Sequence, residues 1–126
     1  MEFDSLSEEV IGLAIKVQRA LGPGLLESAY RRCLAHELKL AGHRVEEEVP
    51  LGIQYKGLDL PLAYRLDILV DDSLIIEIKT VEALLPVHEA QVYTYLRFGE
   101  KSLGLVFNFW AWPSKAGGIK RVIRTP

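Results

Sequence analysis

The chain has 126 residues, with 15 Lys and Arg against 17 Asp and Glu, for a net charge of −2. That length suits one domain with one core, and the near-neutral charge counts against a general electrostatic coat for nucleic acid, though not against an enzyme with a local basic rim. The one cysteine, Cys33, excludes an intrachain disulfide, and no His/Cys cluster has zinc-site spacing. Hydrophobic residues at 49% and charged residues at 25% are ordinary for a soluble domain. With no signal pattern and no apolar run of membrane-spanning length, the expectation is a cytoplasmic protein with a single domain over residues 1–126.

Residues 5–21 read as a first helix. Ser5 and Glu8 fit a capping box, and Val10, Leu13, Ala14, Val17 and Leu21 recur at helical spacing. Gly22-Pro23-Gly24 ends it. Residues 25–41 read as a second helix stopped by Gly42, with Leu26, Ala29, Cys33, Leu34 and Leu38 as its apolar stripe. This places Cys33 in the core. Glu27 and Tyr30 are neighbours three apart on that helix. By spacing alone they are a first-turn glutamate that favours the helix dipole and a half-buried tyrosine.

Two short strands are expected at 44–49 and 52–55, separated by Pro50, with a turn over 57–62. Glu46, Glu47 and Glu48 are consecutive and read as a solvated strand. The stretch from Tyr64 to Thr80, YRLDILVDDSLIIEIKT, reads as a β-hairpin turning at Asp71-Asp72-Ser73. Three charges interrupt its apolar strands. Alternation puts Arg65, Asp67 and Leu69 on one face of the first strand, and Glu77 and Lys79 on one face of the second. A three-residue turn sets Val70 against Leu74, hence Asp67 against Glu77. Opposed Cβ atoms lie roughly 5 Å apart, and two carboxylates at that distance repel by roughly 3 kcal/mol at an effective dielectric near 20. A divalent cation between them turns that repulsion into binding, and a lysine on the same face can hold or deprotonate a water beside it. The plainer reading is three charges on the solvent face of a half-exposed sheet.

Pro86 suits the first turn of a third helix over 87–98, on which His88, Gln91 and Tyr95 share a side. Read without further context, His88 is a surface histidine, Gln91 an exposed helical glutamine and Tyr95 a core aromatic. Residues 103–110, LGLVFNFW, form an almost wholly apolar strand of the kind found inside a sheet. Trp110 and Trp112 share a face, either closing the core or offering rings to bases. A turn over 114–118 leads to a last strand over 119–124. Arg31, Arg32, Lys56, Lys101 and Lys115 are candidate phosphate contacts.

Asp67, followed after a hairpin by Glu77-Ile78-Lys79, resembles the D…(D/E)-x-K signature of the PD-(D/E)XK nuclease superfamily, with Leu66 where the superfamily's nominal proline stands. Gly24-Leu25-Leu26-Glu27-Ser28-Ala29-Tyr30 matches the G-x-x-E-x-x-Y element of the GxxExxY family within it, and Leu21-Gly22-Pro23 is similar to that family too. Gln91 and Tyr95 resemble the Q-x-x-x-Y pair that follows the E-x-K strand in the exonuclease-like branch.

The resemblance implies an α/β restriction-endonuclease-like fold, an αβββαβ core whose mixed central sheet is flanked by helices. It implies a Mg²⁺- or Mn²⁺-dependent nuclease acting on nucleic acid, with DNA first in line, no membrane, and homo-oligomerisation left open. Asp67, Glu77, the Ile78 carbonyl and Glu27 would hold the metal. Lys79 would position the attacking water, and Gln91 would complete the catalytic set. Tyr30 and Tyr95 would stand behind these groups or touch the nucleic acid. The alternative is a module that keeps the fold to bind nucleic acid or protein without turnover.

Overall fold

The computed structural model describes residues 2–110 and 118–125, with side chains from Ser5 onward. The elements run α1 (Glu2–Leu21), α2 (Glu27–Leu40), β1 (Val45–Tyr55), β2 (Leu58–Val70), β3 (Leu74–Lys79), α3 (Pro86–Gly99), β4 (Leu103–Asn108) and β5 (Ile119–Ile123). The five strands form one sheet in chain order. Every neighbouring pair is antiparallel except β3 and β4, which are parallel and joined through α3. A parallel pair needs such a crossover, because no tight turn can return the chain to the same end of the sheet. Among the described residues no helix is long and apolar enough to cross a membrane.

The sheet separates two apolar layers. On one side α1 and α2 bury Val10, Ala14, Val17, Leu34 and Leu38 against Ile76, Ile78 and Phe107. On the other side α3 buries Val92, Tyr95 and Leu96 against Leu69, Ile75 and Val106. β4 is buried along its whole length, as its apolar run demands. Gly104 lets α3 approach it, since a Cβ there would lie 2.5 Å from Val92 Cγ1. The expected α/β architecture is therefore present, a mixed sheet flanked by helices.

Several local expectations change. α1 begins at Glu2, so Ser5 lies inside the helix and does not cap it. The buried stripe of α2 is Tyr30, Leu34, Ala35 and Leu38, leaving Leu26 77% exposed and Cys33 on the surface. Tyr30 sets this rotation. Its ring stacks on Phe109 at 4.4 Å and 5°, and its hydroxyl donates to the Gly22 carbonyl while accepting the Leu25 N–H at 3.2 Å. One buried aromatic thus fixes the α1–α2 connection, and its burial outweighs that of Cys33.

β1 runs unbroken through Pro50, because β1 is an edge strand and Pro50 needs no ladder donor on its free side. The expected turn over 57–62 is strand instead. Lys56 and Gly57 both take positive φ, 47° and 87°, which closes a two-residue hairpin turn at the strand ends. β2 then starts at Leu58 and pairs with β1 as far as Val70, with a register shift opposite Gly52.

His43 ties three elements together. Its Nδ1 lies 2.7 Å from Asp71 Oδ2 in the β2–β3 turn, and its Nε2 lies 2.8 Å from Glu9 Oε1 on α1. Both ring nitrogens face carboxylates, so the charged imidazolium satisfies both. Burial pulls the His43 pKa down, but the hydrogen bonds and charges of Asp71 and Glu9 outweigh it and the net shift is upward. A raised folded pKa means stability that is complete below the unfolded value and lost as pH rises through the folded one. His43→Gln is therefore expected to cost on the order of 1 kcal/mol at pH 5.5 and much less at pH 8.5, since Glu9 and Asp71 are partly solvent-screened. Urea unfolding of both proteins at the two pH values measures this, and an equal loss at both would show that the imidazolium charge contributes nothing.

Candidate active site

β2 and β3 pair at Val70↔Leu74, Leu69↔Ile75 and Ile68↔Ile76, the register expected of a three-residue turn. Asp71 and Asp72 both adopt positive φ, 52° and 53°, and Ser73 N–H donates to the Val70 carbonyl at 3.0 Å. Short acidic side chains tolerate that conformation better than most. The same register sets Asp67 across from Glu77, but the paired ladder ends one residue earlier, at Ile68↔Ile76. Asp67 itself takes over, with Oδ2 accepting the Ile78 N–H at 2.8 Å. A side chain thus supplies the acceptor where the partner strand has turned away.

Glu48 marks the cause. It lies on β1 opposite Asp67, has φ of +52°, and falls at a gap in the β1–β2 pairing between Glu47↔Ile68 and Val49↔Leu66. A non-glycine residue in that conformation costs about 1 kcal/mol and bends the strand. Beyond the bend the faces exchange. Ile68 and Val70 pack with α1 and α2, whereas Leu66 and Tyr64 pack with α3. The expected shared face of Arg65, Asp67 and Leu69 is therefore interrupted at Asp67.

Glu77 is 6% exposed, and its Oε1 has no hydrogen-bond partner among the described residues. Its Oε2 lies 3.2 Å from Lys79 Nζ. Burial raises its pKa first and the Asp67 charge second; the Lys79 charge offsets part of this, and the net value is about 8. Tyr95 stands behind the pair, edge-on to Tyr64 at 5.3 Å. Burial, then the charges of Glu77 and Asp67, push its phenol up to about 12, so it stays protonated and can donate. Ile78 is buried in its side chain. In a strand, the N–H and C=O of one residue point to the same neighbour, so the Ile78 carbonyl faces the side on which Asp67 takes its N–H.

Glu27 opens α2 and accepts the Thr80 N–H through Oε2 at 3.2 Å. It thus reaches the residue after Lys79, yet the charges that shift Glu77 are those of Asp67 and Lys79. Among the described residues no three His, Cys, Asp or Glu groups converge closely enough to hold an ion. The geometry gathers two acids and leaves Glu27 beside them. Gln91 is exposed on α3, one turn before Tyr95, and its side chain makes no hydrogen bond among the described residues. Tyr30 has no exposed surface, so it cannot touch nucleic acid and acts through the packing above.

Other candidates disperse. Arg31 pairs with Glu47 and Glu48, and Lys101 with Asp72. Lys56 lies over the Tyr55 ring at 5.5 Å. Trp110 is half-exposed, whereas Trp112 and Lys115 fall outside the described residues. His88 accepts the Leu85 N–H through Nδ1 at 2.9 Å and so finishes the start of α3. The groove of about 810 Å³ between α1 and α2, lined by Val17, Arg32, Cys33 and Leu40, lies away from the acids.

The sequence reading missed Asn108. It is fully buried at the end of β4, paired with Lys79 across the parallel ladder. Its Nδ2 donates to the Val81 carbonyl at 2.8 Å, and its Oδ1 accepts from Val81 N–H at 3.1 Å and Trp110 N–H at 3.3 Å. It therefore anchors the chain that leaves β3 just past Lys79 and Thr80. The available signal was a lone amide in an otherwise apolar strand. Asn108→Leu leaves buried backbone groups unpaired and is expected to destabilise the fold by about 2–4 kcal/mol. Urea unfolding checks this, and a loss under about 0.5 kcal/mol would mean that the loop finds other partners.

No curated protein and no solved structure gives a significant match to the chain. A family model described as the PD-(D/E)XK nuclease superfamily matches residues 4–122, which takes in Glu27, Asp67, Glu77, Lys79, Gln91 and both flanking helical layers. With that match spanning nearly all of the sheet and helices described above, the chain belongs to the PD-(D/E)XK nuclease superfamily.

Proposed function

We propose that the chain is a Mg²⁺- or Mn²⁺-dependent nuclease that hydrolyses phosphodiester bonds, with DNA as its first candidate substrate. The observation that carries this reading is Glu77, buried against Asp67 and Lys79 with Oε1 unpartnered. Two carboxylates with a carbonyl are the donor chemistry that hard divalent cations take, and such an ion would replace the proton that the raised Glu77 pKa otherwise keeps there. Asp67, Glu77 and the Ile78 carbonyl would hold the ion. When bound, it would supply Lewis acidity toward a phosphate oxygen and the attacking water.

The remaining residues have roles that follow from their surroundings. Lys79 hydrogen-bonds the attacking water and offsets negative charge that builds on the phosphate. Glu27 holds the Thr80 N–H through one oxygen, and its Oε1 is left to orient a water at the edge of the site. Tyr95, protonated at any physiological pH, positions the two acids from behind. Gln91 is free to contact the nucleic-acid backbone. A non-catalytic binding module is the competing reading, favoured by the absence of a third converging acid among the described residues. Incubation with single- and double-stranded DNA and RNA, with Mn²⁺ or EDTA, separates the two. Metal-dependent cleavage that Asp67→Asn eliminates supports the nuclease. Binding without cleavage under every condition overturns it.

A further inference from the structure

The β1–β2 hairpin continues well past β3. β2 pairs with β3 only over Ile68–Val70, so residues 58–66, roughly 30 Å of strand, have β1 on one edge and no strand on the other among the described residues. One face of this ribbon starts as core. Val49, Leu51, Tyr64 and Leu66 pack with α3. By register the same face goes on through Leu60, and through Tyr55 and Leu58, with no helix or strand over it among the described residues. There Tyr55 is 61% exposed, Leu58 56% and Leu60 39%. A two-stranded ribbon with an open edge and a bare apolar face is marginal by itself.

We propose that a second copy of this chain covers it, β2 pairing antiparallel with β2 about a two-fold axis at Leu62. The charges choose this partner and register. Asp59 and Arg65 are exposed, opposite in sign and without an ion pair or hydrogen bond among the described residues. Pairing about Leu62 sets Asp59 of each copy against Arg65 of the other. It also lays Leu58 and Leu60 of one copy beside Leu66 and Tyr64 of the other, on the face that covers α3. Pro61 and the register shift opposite Gly52 interrupt the ladder at the two-fold, so side-chain burial carries most of the association. The apolar face offers roughly 500 Å² per copy, about the lower limit for a specific pair, which points to micromolar affinity. The edge lacks the excess of positive charge that nucleic acid would need. In this register the hairpin tip of one copy, with Lys56, ends beside Asp67 of the other.

Sedimentation velocity of the full chain from about 1 to 300 μM, spanning the expected affinity, tests this. The wild type should move from the 14.2 kDa of one chain toward twice that mass. Asp59→Arg and Arg65→Asp should each weaken the dimer by about tenfold or more, and the double charge swap should recover most of the loss. Leu60→Asp should leave a monomer at every concentration. Far-UV circular dichroism establishes that each variant is folded, and the double swap serves as a second test if one single variant is not. A wild type that stays at one chain's mass throughout overturns the proposal, as does a double swap no better than the single variants.

Discussion

Lys79→Ala is expected to lower the single-turnover cleavage rate by about 10²–10⁴-fold at saturating Mn²⁺, the range for losing a positioned acid–base or charge-stabilising group. The motive is that, among the described residues, Lys79 is the one cation paired with the buried Glu77, 3.2 Å from its Oε2. Its removal has a second effect that a surface lysine would not show. The Lys79 charge holds the Glu77 pKa down against burial and Asp67. Without it, Glu77 takes up a proton more readily, and metal must compete with that proton. The metal concentration for half-maximal activity should therefore rise at pH 7 and approach the wild-type value near pH 9. Lys79→Arg keeps the charge and should restore the metal dependence more fully than the rate. Cleavage at the wild-type rate by Lys79→Ala would remove Lys79 from the chemistry.

What the sequence made legible was what depends on neighbours along the chain. The β2–β3 turn, its register and the opposition of Asp67 to Glu77 all follow from strand alternation across three turn residues, and the structure has that register. What stayed hidden depends on residues far apart. Tyr30 became core, and Cys33 surface, because Phe109 stacks on the tyrosine ring from the far end of the chain. Asn108 gained its role from the parallel pairing of β3 with β4, which no local pattern announces. The bend at Asp67 arises across the ladder at Glu48, whose positive φ has no sequence signature of the glycine kind. Glu27 was placed near the acids by likeness to a motif, and the fold brings it to Thr80, one step from Lys79. The long β1–β2 ribbon was masked by Pro50 and Gly57, each read as a break. On an edge strand, and at a two-residue turn, neither one is.

Glu77→Gln should abolish cleavage and, in the metal-free protein, make the fold more stable at alkaline pH. Glu77 has a folded pKa near 8 against an ordinary value of 4.5. The folded state thus holds a proton that the unfolded chain gives up, and stability must fall as pH rises between those values. The full shift would be worth several kcal/mol at the standard conversion, and coupling to Asp67 and Lys79 reduces what is realised to roughly 2–3 kcal/mol. Below about pH 4.5 both side chains are neutral and the two proteins should differ little. Near pH 9 the wild type buries a carboxylate beside a second one, whereas the glutamine buries an amide that can donate to Asp67. His43 also loses stability with rising pH, but it is shared by both proteins and cancels in the difference. Saturating Mg²⁺ should reverse the order at pH 9 by stabilising the wild type through mass action, and should act weakly at pH 5, where a proton occupies the same carboxyl group. Urea unfolding of both proteins at pH 5 and pH 9, with EDTA and with Mg²⁺, measures all four terms. If the stability difference is the same at both pH values and Mg²⁺ shifts neither protein, the Asp67–Glu77 pair is a structural feature of the sheet and the metal-dependent reading loses its chemical basis.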